Sequence, residues 1–382
     1  MTISLPIIQT PIPLDFIDLG VGEPALASLP VDLLHQAAEM CFDQNDPSFL
    51  QYGLELGNGY FRQALADFLS QGCRLPTDPA TLLVTNGSSM GLHLVCSLFT
   101  SPGDVVFVEE PTYFLALRIL ADHDLQIIPI QTDRDGLVVD CIEEKIKTYH
   151  PKFVYVIPTF QNPTGRTLSL QRRAQLVSLS RKHDFIVVAD EIYQFLNYRC
   201  QSPEPFGASI DEGPIISLNS FSKILAPGLR LGWLQSNPVT LQRFVTSGLL
   251  DSGGGLNPFT SAMVRFVIES GGLAANIDRL KAEYGSRLLD MDVSLRRHLP
   301  SAEYVPPQGG YFFWLRFPGV DTLAWQKKAR SFKVGFSPGP RFSCQPGLLD
   351  FIRLSFVHYS SAEIEEGLIR LKESLAEFRS GT

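Results

Sequence analysis

The sequence predicts an α/β fold: a three-layer α/β/α large domain with a mainly parallel seven-stranded sheet, plus a smaller α+β domain. Two observations predict it. Short apolar runs alternate with amphipathic helical segments through the middle of the chain, which is the pattern of a parallel sheet with helices on both faces. The 382 residues are 45% apolar and 10% aromatic, enough for one large core and a smaller second one.

The strand predictions rest on short runs rich in β-branched and aromatic residues, bounded by turn residues. They fall at residues 82–85, 105–109, 126–130, 153–158, 185–189, 215–218 and 231–235. In such sheets, ligands bind outside the carboxyl ends of the strands. Polar residues that follow these strands are therefore the first candidates for a functional site.

The helix predictions rest on apolar residues that recur with helical spacing. Such segments cover residues 31–42, 60–69 and about 274–299, and a last one has Ile364, Leu368, Leu371 and Leu375 on one face. Between the last two, apolar strands are predicted at 308–315 and 351–356. We therefore expect three parts: residues 1–45 as an N-terminal arm with part of the small domain, 46–280 as the large domain and 281–382 as the small C-terminal domain.

The composition excludes several classes of function. A net charge of −8 and a pI near 5.4 argue against a nucleic-acid or anionic-membrane surface, since both need clustered Lys and Arg. The six cysteines show no CxxC spacing and the seven histidines no HExxH pair, so we expect no metal, no disulfide framework and a reducing cytoplasm. Small molecules are the expected partners.

The N-terminus does not resemble a targeting segment. Residues 1–16 lack a basic n-region and contain Pro6, Pro11 and Pro13, which predicts an extended arm rather than a signal peptide. No apolar run of the chain reaches membrane-spanning length. We therefore expect no membrane association.

Lys223 is the strongest candidate for a chemical role. It follows the apolar run at 214–218 and so lies at the end of a predicted buried strand. Ser220, Ser222 and Arg230 add two hydroxyls and a fixed cation, which are groups that hold a phosphate dianion. A lysine beside a phosphate site suggests a cofactor aldehyde, with which the amine can form a Schiff base. Alone, a lysine in a serine-rich turn would more simply be a surface residue.

Three other strand ends carry candidates. A glycine turn after the first strand opens onto a helix at Ser88 and Ser89, which suits phosphate binding but also simple helix capping. Tyr113 follows the second strand and could cover a flat ring or belong to the edge of the core. Asn162 lies in an Asn-Pro-Thr-Gly turn after the fourth strand, where turn formation alone would explain it.

Two charged residues lie where apolar surroundings make a charge costly. Asp190 ends the fifth strand, where it needs a partner or caps the next segment, and it could keep a pyridine nitrogen protonated. Tyr193 follows three residues later. Arg353 lies inside an apolar strand, where its planar guanidinium fits a carboxylate bidentately or forms a structural salt bridge.

Taken in this order, the glycine-serine turn, the tyrosine, the Asn-Pro-Thr-Gly turn, the strand-end aspartate and the S-x-S-K segment followed by Arg230 resemble the class I/II aminotransferases of fold type I. Within them, the 2-aminoadipate and aromatic types are the most similar. The resemblance covers nearly the whole chain and implies pyridoxal 5'-phosphate on Lys223, with Asp190 and Tyr193 as the other catalytic residues. It implies further cofactor contacts by Ser88, Ser89, Tyr113, Asn162, Ser220, Ser222, Arg230 and, from the second subunit of a homodimer, Tyr52. It implies substrate contacts by Arg353, Gly22, Asn162 and Asn257.

The implied reaction moves an amino group between an L-amino acid and a 2-oxo acid, through a Lys223 Schiff base and a quinonoid. Arg353 would capture the substrate carboxylate, and Lys223 would move the α-proton. A lyase or cyclase that eliminates a β or γ substituent shares every step up to the quinonoid, and the motifs do not separate the two. A transcription regulator fused to a helix-turn-helix is disfavoured, because the turn at Gly20 and Gly22 comes too early to leave room for one.

The substrate depends on pocket shape, which the motifs do not give. Some relatives read an acidic side chain with an arginine from the N-terminal region or the crossing loop. No arginine occurs between Met1 and Phe61 or between Phe244 and Val264, so we expect no strong preference for aspartate-like substrates through those routes. Glu23 could favour a cationic side chain, but a solvated glutamate is the simpler interpretation.

Overall fold

A computed structural model describes residues 9–73 and 76–381. Its strands are β1 (Ile17–Asp18), β2 (Leu82–Thr85), β3 (Val105–Glu110), β4 (Gln126–Asp133), β5 (Gly136–Leu137), β6 (Pro151–Val156), β7 (Ile186–Asp190), β8 (Ile215–Ser220), β9 (Gly232–Gln235), β10 (Phe312–Arg316), β11 (Val334–Gly335), β12 (Ser337–Pro338) and β13 (Phe351–Ser355). Its α-helices are α1 (Val31–Phe42), α2 (Gly59–Cys73), α3 (Ser88–Phe99), α4 (Phe114–Asp122), α5 (Val139–Ile146), α6 (Leu170–His183), α7 (Pro238–Val245), α8 (Gly248–Gly253), α9 (Pro258–Glu269), α10 (Gly272–His298), α11 (Thr322–Ala329) and α12 (Ser361–Ser380).

The central sheet has eight strands in the order β2-β9-β8-β7-β6-β3-β4-β5. The pairs from β8 across to β4 are parallel, whereas β9 runs antiparallel to both of its neighbours. The predicted mainly parallel sheet is confirmed, and all seven predicted strands are present. The eighth, β5, is too short to give a periodic pattern, and it pairs with β4 through a hairpin closed by Asp133 and Gly136.

Successive residues of the central strands enter two separate cores. In β3, Val106 and Val108 pack in one core and Phe107 packs in the other. Both faces of the sheet are therefore covered, which explains why these strands are almost continuously apolar. This is the three-layer α/β/α arrangement that the sequence predicts.

A second, antiparallel sheet has the order β10-β13-β12, and α12 packs against α10 and α11 beside it. The N-terminal strand β1 pairs with β11, so residues from both ends of the chain meet here. Residues 1–8 of the predicted arm lie outside the described residues, and the domain boundaries at 45 and 280 stay predictions.

The helix limits follow local sequence signals. α1 begins and ends where the apolar periodicity does, and α10 occupies the predicted long segment with its bounds shifted by one or two residues. α12 begins at a capping box in which Ser360 and Glu363 satisfy each other's backbone N–H groups. In residues 9–73 and 76–381, no helix is long and apolar enough to cross a membrane.

Candidate active site

The sequence-predicted polar residues converge at one edge of the central sheet. Tyr113 follows β3, Asn162 lies in the turn after β6, Asp190 is the last residue of β7, and Lys223 comes shortly after β8. Because these parallel strands all end at the same edge, their terminal side chains share one cleft. Arg353 reaches the same place from β13, as its bond to Asn162 shows.

The Lys223 amine is held in a partly buried position. Its Nζ donates a hydrogen bond to the carbonyl oxygen of Gly22 at 2.9 Å and lies 5.1 Å from the ring centroid of Tyr311. Burial, opposed by the carboxylate of Glu23 and aided by the cation of Arg353, lowers the pKa of Lys223 to about 8. An amine with this pKa is deprotonated often enough near neutral pH to act as a nucleophile or a base.

Asp190 is a buried carboxyl group with an unused acceptor. Its Oδ2 accepts a hydrogen bond from the hydroxyl of Tyr155 at 2.8 Å, whereas Oδ1 is buried without a partner among the described residues. Burial raises the pKa of Asp190 to about 6, and the hydrogen bond from Tyr155 limits the rise. A buried acceptor of this kind needs an N–H or O–H donor, and the protonated ring nitrogen of pyridoxal phosphate is such a donor.

A turn between β2 and α3 forms one side of an anion cradle. Gly87 has a φ of +89°, which favours glycine, and it is the N-cap of α3 without a side-chain capping bond. Since glycine has no side chain, the N-cap residue leaves the first N–H groups of α3 uncapped. These groups lie at the positive end of the helix dipole. Ser88 is half-buried and Ser89 is exposed at this end.

Ser220, Ser222 and Arg230 form the other side of the cradle. The Ser220 and Ser222 hydroxyls are 2.8 Å apart, and Nη2 of Arg230 donates to the carbonyl oxygen of Asn86 at 3.1 Å. A Cβ at Gly87 would come within 3.1 Å of Nη2 of Arg230 and 3.7 Å of the Ser220 oxygen. Hydroxyls, a guanidinium and a helix N-terminus together fit a phosphate dianion.

Asn257 braces the turn that carries Arg230. Its Nδ2 donates to the carbonyl oxygens of Leu229 at 3.3 Å and of Arg230 at 2.5 Å. Arg230 has a φ of +48°, so this backbone is in the left-handed region and gains from an external tie. Asn257 therefore contacts the cradle of its own chain. Tyr52 is 80% exposed and lies against Gly254, in the loop between α8 and α9.

Two tyrosines line the cleft. Tyr113 is the half-buried N-cap of α4, and burial, with a contribution from the charge of Asp190, raises its pKa to about 12. Tyr193 is buried against the rings of Tyr311 and Phe312, and burial raises its pKa above the ordinary value although the Arg353 cation opposes this. Both hydroxyls therefore stay protonated at neutral pH and can donate hydrogen bonds.

Arg353 is a buried cation without a carboxylate partner in the described part of the chain. Nη1 donates to Oδ1 of Asn162 at 2.9 Å and Nη2 to the carbonyl oxygen of Gly20 at 2.7 Å, while Nε has no partner among residues 9–73 and 76–381. Its guanidinium stacks on Phe312, with Cζ 3.9 Å from the ring centroid. Burial lowers the pKa of Arg353 to about 10, so the group remains charged and favours an anionic ligand.

Several residues of the site escape sequence reasoning. The hydroxyl of Tyr155 donates a hydrogen bond to Asp190, and the only sequence feature that could have indicated this contact is a hydroxyl-bearing residue within an apolar strand. Glu109 is buried, its pKa is raised to about 8 by burial, and it accepts hydrogen bonds from Ile157 N and Gln161 Nε2 at 2.8 and 3.3 Å. These bonds hold the loop that carries Asn162. Among residues 9–73 and 76–381 there is no cluster of three or more His, Cys, Asp or Glu side chains that could hold a metal ion.

Three comparisons with known proteins agree with this geometry. The aromatic-amino-acid aminotransferase 1 of Thermococcus litoralis is 33% identical over 95% of this chain and 88% of its own. The crystal structure of a multiple substrate aminotransferase from Thermococcus profundus superposes with a TM-score of 0.90 at 31% identity, covering 97% of this chain and 93% of that one. An alpha-aminoadipate aminotransferase from Thermus thermophilus, complexed with N-(5'-phosphopyridoxyl)-L-leucine, has a TM-score of 0.87 at 27% identity, covering 97% and 94%.

The sequence profile described as aminotransferase class I and II matches residues 15–371. This match spans the central sheet, the anion cradle and Arg353. The chain therefore belongs to the class I and II aminotransferases and is a pyridoxal-phosphate-dependent enzyme that acts on amino acids and 2-oxo acids.

Proposed function

We propose that this aminotransferase uses Lys223 to bind the cofactor and to move the substrate proton, Asp190 to bind the ring nitrogen and Arg353 to bind the α-carboxylate. The observation that carries the proposal is the buried Oδ1 of Asp190, which has no hydrogen-bond partner in the described part of the chain and lies close enough to Lys223 for the two charges to interact. When bound, pyridoxal phosphate supplies the electron sink that makes the α-proton of an amino acid acidic.

The other roles follow from the donor groups present. Ser88, Ser89, Ser220, Ser222 and Arg230 would hold the phosphate, since they surround an uncapped helix N-terminus. Tyr113 would cover the cofactor ring, and Asn162 and Tyr193 would donate to its phenolic oxygen. Asn162 Oδ1 already accepts from Arg353, so its amide N–H₂ is left to donate.

Short contacts support the roles proposed for Lys223 and Arg353. Lys223 Nζ sits 2.9 Å from the Gly22 carbonyl, and Gly20 of the same turn accepts from Arg353. A Cβ at Gly22 would lie 3.1 Å from Phe312 and 3.5 Å from Nη2 of Arg353, so this turn passes close to the carboxylate site. An amino acid held by Arg353 therefore presents its α-carbon on the Lys223 side of the cleft.

We also propose that the enzyme is a homodimer whose second copy covers an apolar patch formed by Phe42, Phe49 and Phe259. The three rings touch with centroid distances of 5.5 to 6.4 Å, yet Phe42 is 55% exposed and Phe259 is 41% exposed. The patch is continuous with the cradle because Asn257, which bonds to the Arg230 turn, immediately precedes α9. Exposed aromatic groups of this size are typical of interfaces.

Sedimentation of the wild type and of Phe259→Asp tests the dimer. We expect a dimer for the wild type, and a monomer with weakened cofactor binding for the variant. An active wild-type monomer would contradict the proposal and would remove Tyr52 from the site.

A cytoplasmic location is proposed because Cys41, Cys96, Cys141, Cys200 and Cys344 are free thiols.

The absorption spectrum of the purified enzyme between roughly 300 and 520 nm, the region of pyridoxal-type chromophores, tests the chemistry. We expect an amino acid to convert the pyridoxal form to the pyridoxamine form and a 2-oxo acid to reverse it, with Lys223→Ala inactive. Release of ammonia without the pyridoxamine form would instead favour an eliminating lyase or cyclase, which none of the relatives reported above is named as. The relatives' names make aromatic amino acids and 2-aminoadipate the first substrates to try.

A further inference from the structure

Arg341 is a cation near the proposed site that has no ion-pair partner in the part of the chain that the structure describes. It lies on the 3₁₀ turn Gly339–Phe342, and its guanidinium stacks on Phe114 with Cζ 3.9 Å from the ring centroid. Within residues 9–73 and 76–381, its side chain forms neither a salt bridge nor a hydrogen bond. Stacking fixes the guanidinium plane and leaves the N–H edge available, which is the arrangement that binds carboxylates.

Backbone and ring contacts fix this turn beside Arg353. The N–H of Thr112 donates to the carbonyl oxygen of Phe342 at 2.9 Å, and Ser337 just before the turn pairs with Arg353 across β12 and β13. The Phe342 ring lies 4.9 Å from Cζ of Arg353 and 5.5 Å from the Phe114 ring. The guanidinium groups of Arg353 and Arg341 therefore stand at the two ends of the Phe342–Phe114 pair.

Charges of both signs lie around Arg341, but no carboxylate of the described residues pairs with it directly. Burial lowers the pKa of Arg341, the carboxylate of Asp18 opposes this shift, and the cation of Arg118 adds to it to a smaller extent. Asp18 Oδ1 already accepts from the N–H of Gly20 at 2.9 Å and lies beyond salt-bridge distance of Arg341. The Arg341 cation also lowers the pKa of Arg353, so the two guanidinium groups repel each other, and an anion bound between them would relieve that repulsion.

We propose that Arg341 binds the distal carboxylate of a dicarboxylic amino acid or 2-oxo acid whose α-carboxylate is held by Arg353. The inference rests on the proposed role of Arg353 and gives the substrate class of the same site. It uses neither the N-terminal region nor the crossing loop, so it agrees with the lack of arginine in both. Glutamate, 2-aminoadipate and their oxo acids are the substrates of this class.

A purely packing role for Arg341 makes a different prediction. Stacking on Phe114 is an apolar and cation–π contact that does not depend on the substrate. Its loss would change stability and would weaken all substrates alike. Selectivity between charged and uncharged substrates of similar length therefore separates the two roles.

The experiment compares Arg341→Gln with the wild type as holoenzymes. The kcat/KM values for glutamate and 2-aminoadipate are measured beside those for norleucine and phenylalanine. We expect a loss of roughly 10- to 100-fold for the dicarboxylic pair, as for removal of a charge-assisted hydrogen-bond partner. The uncharged pair should change by less than about threefold, since no hydrogen bond to them is removed. Arg134→Gln, whose side chain is 90% exposed, removes the same charge elsewhere and should change neither.

Binding of inhibitors gives a readout without turnover. Glutarate and pentanoate are titrated against each holoenzyme. The preference for glutarate should fall roughly 10-fold or more in Arg341→Gln. It should partly return in Arg341→Lys, which keeps the positive charge but cannot bind a carboxylate bidentately. Equal losses for both inhibitors, or no change in the preference, would overturn the proposal. If the wild type transaminates other amino acids but not these, this inference fails while the proposed function stands; if no amino acid reacts, the proposed function fails first.

Discussion

Nη1 of Arg353 donates to Oδ1 of Asn162 at 2.9 Å, although the two residues are 191 positions apart in the chain. The bond joins the small antiparallel sheet to the carboxyl edge of the central sheet. It also orients the Asn162 amide, whose N–H₂ group then points away from the guanidinium. The proposed carboxylate site and the proposed cofactor contact are therefore coupled through a single side chain, that of Asn162.

The first prediction concerns the fork of Arg353. Arg353→Lys keeps the charge but cannot bond both Asn162 and the Gly20 carbonyl while it holds a carboxylate bidentately. We expect kcat/KM for amino acids to fall by about 100-fold, as for loss of a charge-assisted bond in a buried site. The cofactor spectrum should stay unchanged. Arg316→Lys, on the neighbouring strand β10 and half-exposed, is the control and should keep its activity. Full activity of Arg353→Lys would place the α-carboxylate elsewhere.

The site residues that lie within a predicted strand or directly follow one could be predicted from the sequence. Asp190 and Lys223 each follow an apolar strand, so the edge at which they meet follows from the sheet. The position of Arg353 in an apolar strand marked it as an anion site. What sequence did not give are the contacts made by backbone carbonyls and by distant segments. The carbonyl groups of Gly20 and Gly22 are backbone groups, so the residue type does not predict their contacts. The position of Arg341 near the site is visible only in the folded chain, where the turn after β12 packs against Phe114 of α4.

The second prediction concerns Gly87 in the anion cradle. Gly87→Ala places a Cβ within 3.1 Å of Nη2 of Arg230 at a φ of +89°, so it crowds the arginine and strains the backbone. We expect the affinity of the apoprotein for pyridoxal phosphate and for inorganic phosphate to fall by about 10-fold or more, as for loss of a charged hydrogen bond. Gly103→Ala is a matched control, because Gly103 has a φ of +85° and no atom lies within 4 Å of the position that a Cβ would take there. If both changes weakened phosphate binding equally, backbone strain alone would explain the effect, and the proposed role of Gly87 in the cradle would be contradicted.

The third prediction concerns stability and pH. Burial raises the pKa of Asp190 from 3.8 to about 6, so the folded apoprotein binds this proton more tightly than the unfolded chain does. The free energy of unfolding therefore falls as pH rises from about 4 to about 6, and the penalty of about 3 kcal/mol is fully present above that range. Asp190→Asn removes the titration, so the variant apoprotein should melt at a higher temperature than the wild type at pH 8. The difference should vanish at pH 4.

Thermal melts of apoprotein across this range, with Asp184→Asn as an exposed control, check the sign. A variant that is less stable than the wild type at pH 8 would contradict the prediction, because it would mean that hydrogen bonds such as that from Tyr155 stabilise the charged carboxylate by more than burial destabilises it. Adding pyridoxal phosphate should stabilise the wild type more than the variant, because the neutral amide that this change introduces is a poorer partner for a protonated nitrogen.

The last prediction concerns Glu23 and the amine of Lys223. The Glu23 carboxylate opposes the lowering of the Lys223 pKa, and its Oε1 accepts from Thr10 Oγ1 at 2.9 Å, a bond that glutamine can also accept. Glu23→Gln should therefore lower the pKa of Lys223 below about 8. The free amine then forms at lower pH, so the rate at which apoprotein captures pyridoxal phosphate should rise at a lower pH than in the wild type. The exposed control Glu212→Gln should leave the profile in place, and the ranking of amino-acid substrates should be the same in all three proteins. A profile that stays in place or moves to higher pH would contradict this effect of Glu23 on Lys223, and a new preference against lysine-like substrates would assign Glu23 to the substrate instead.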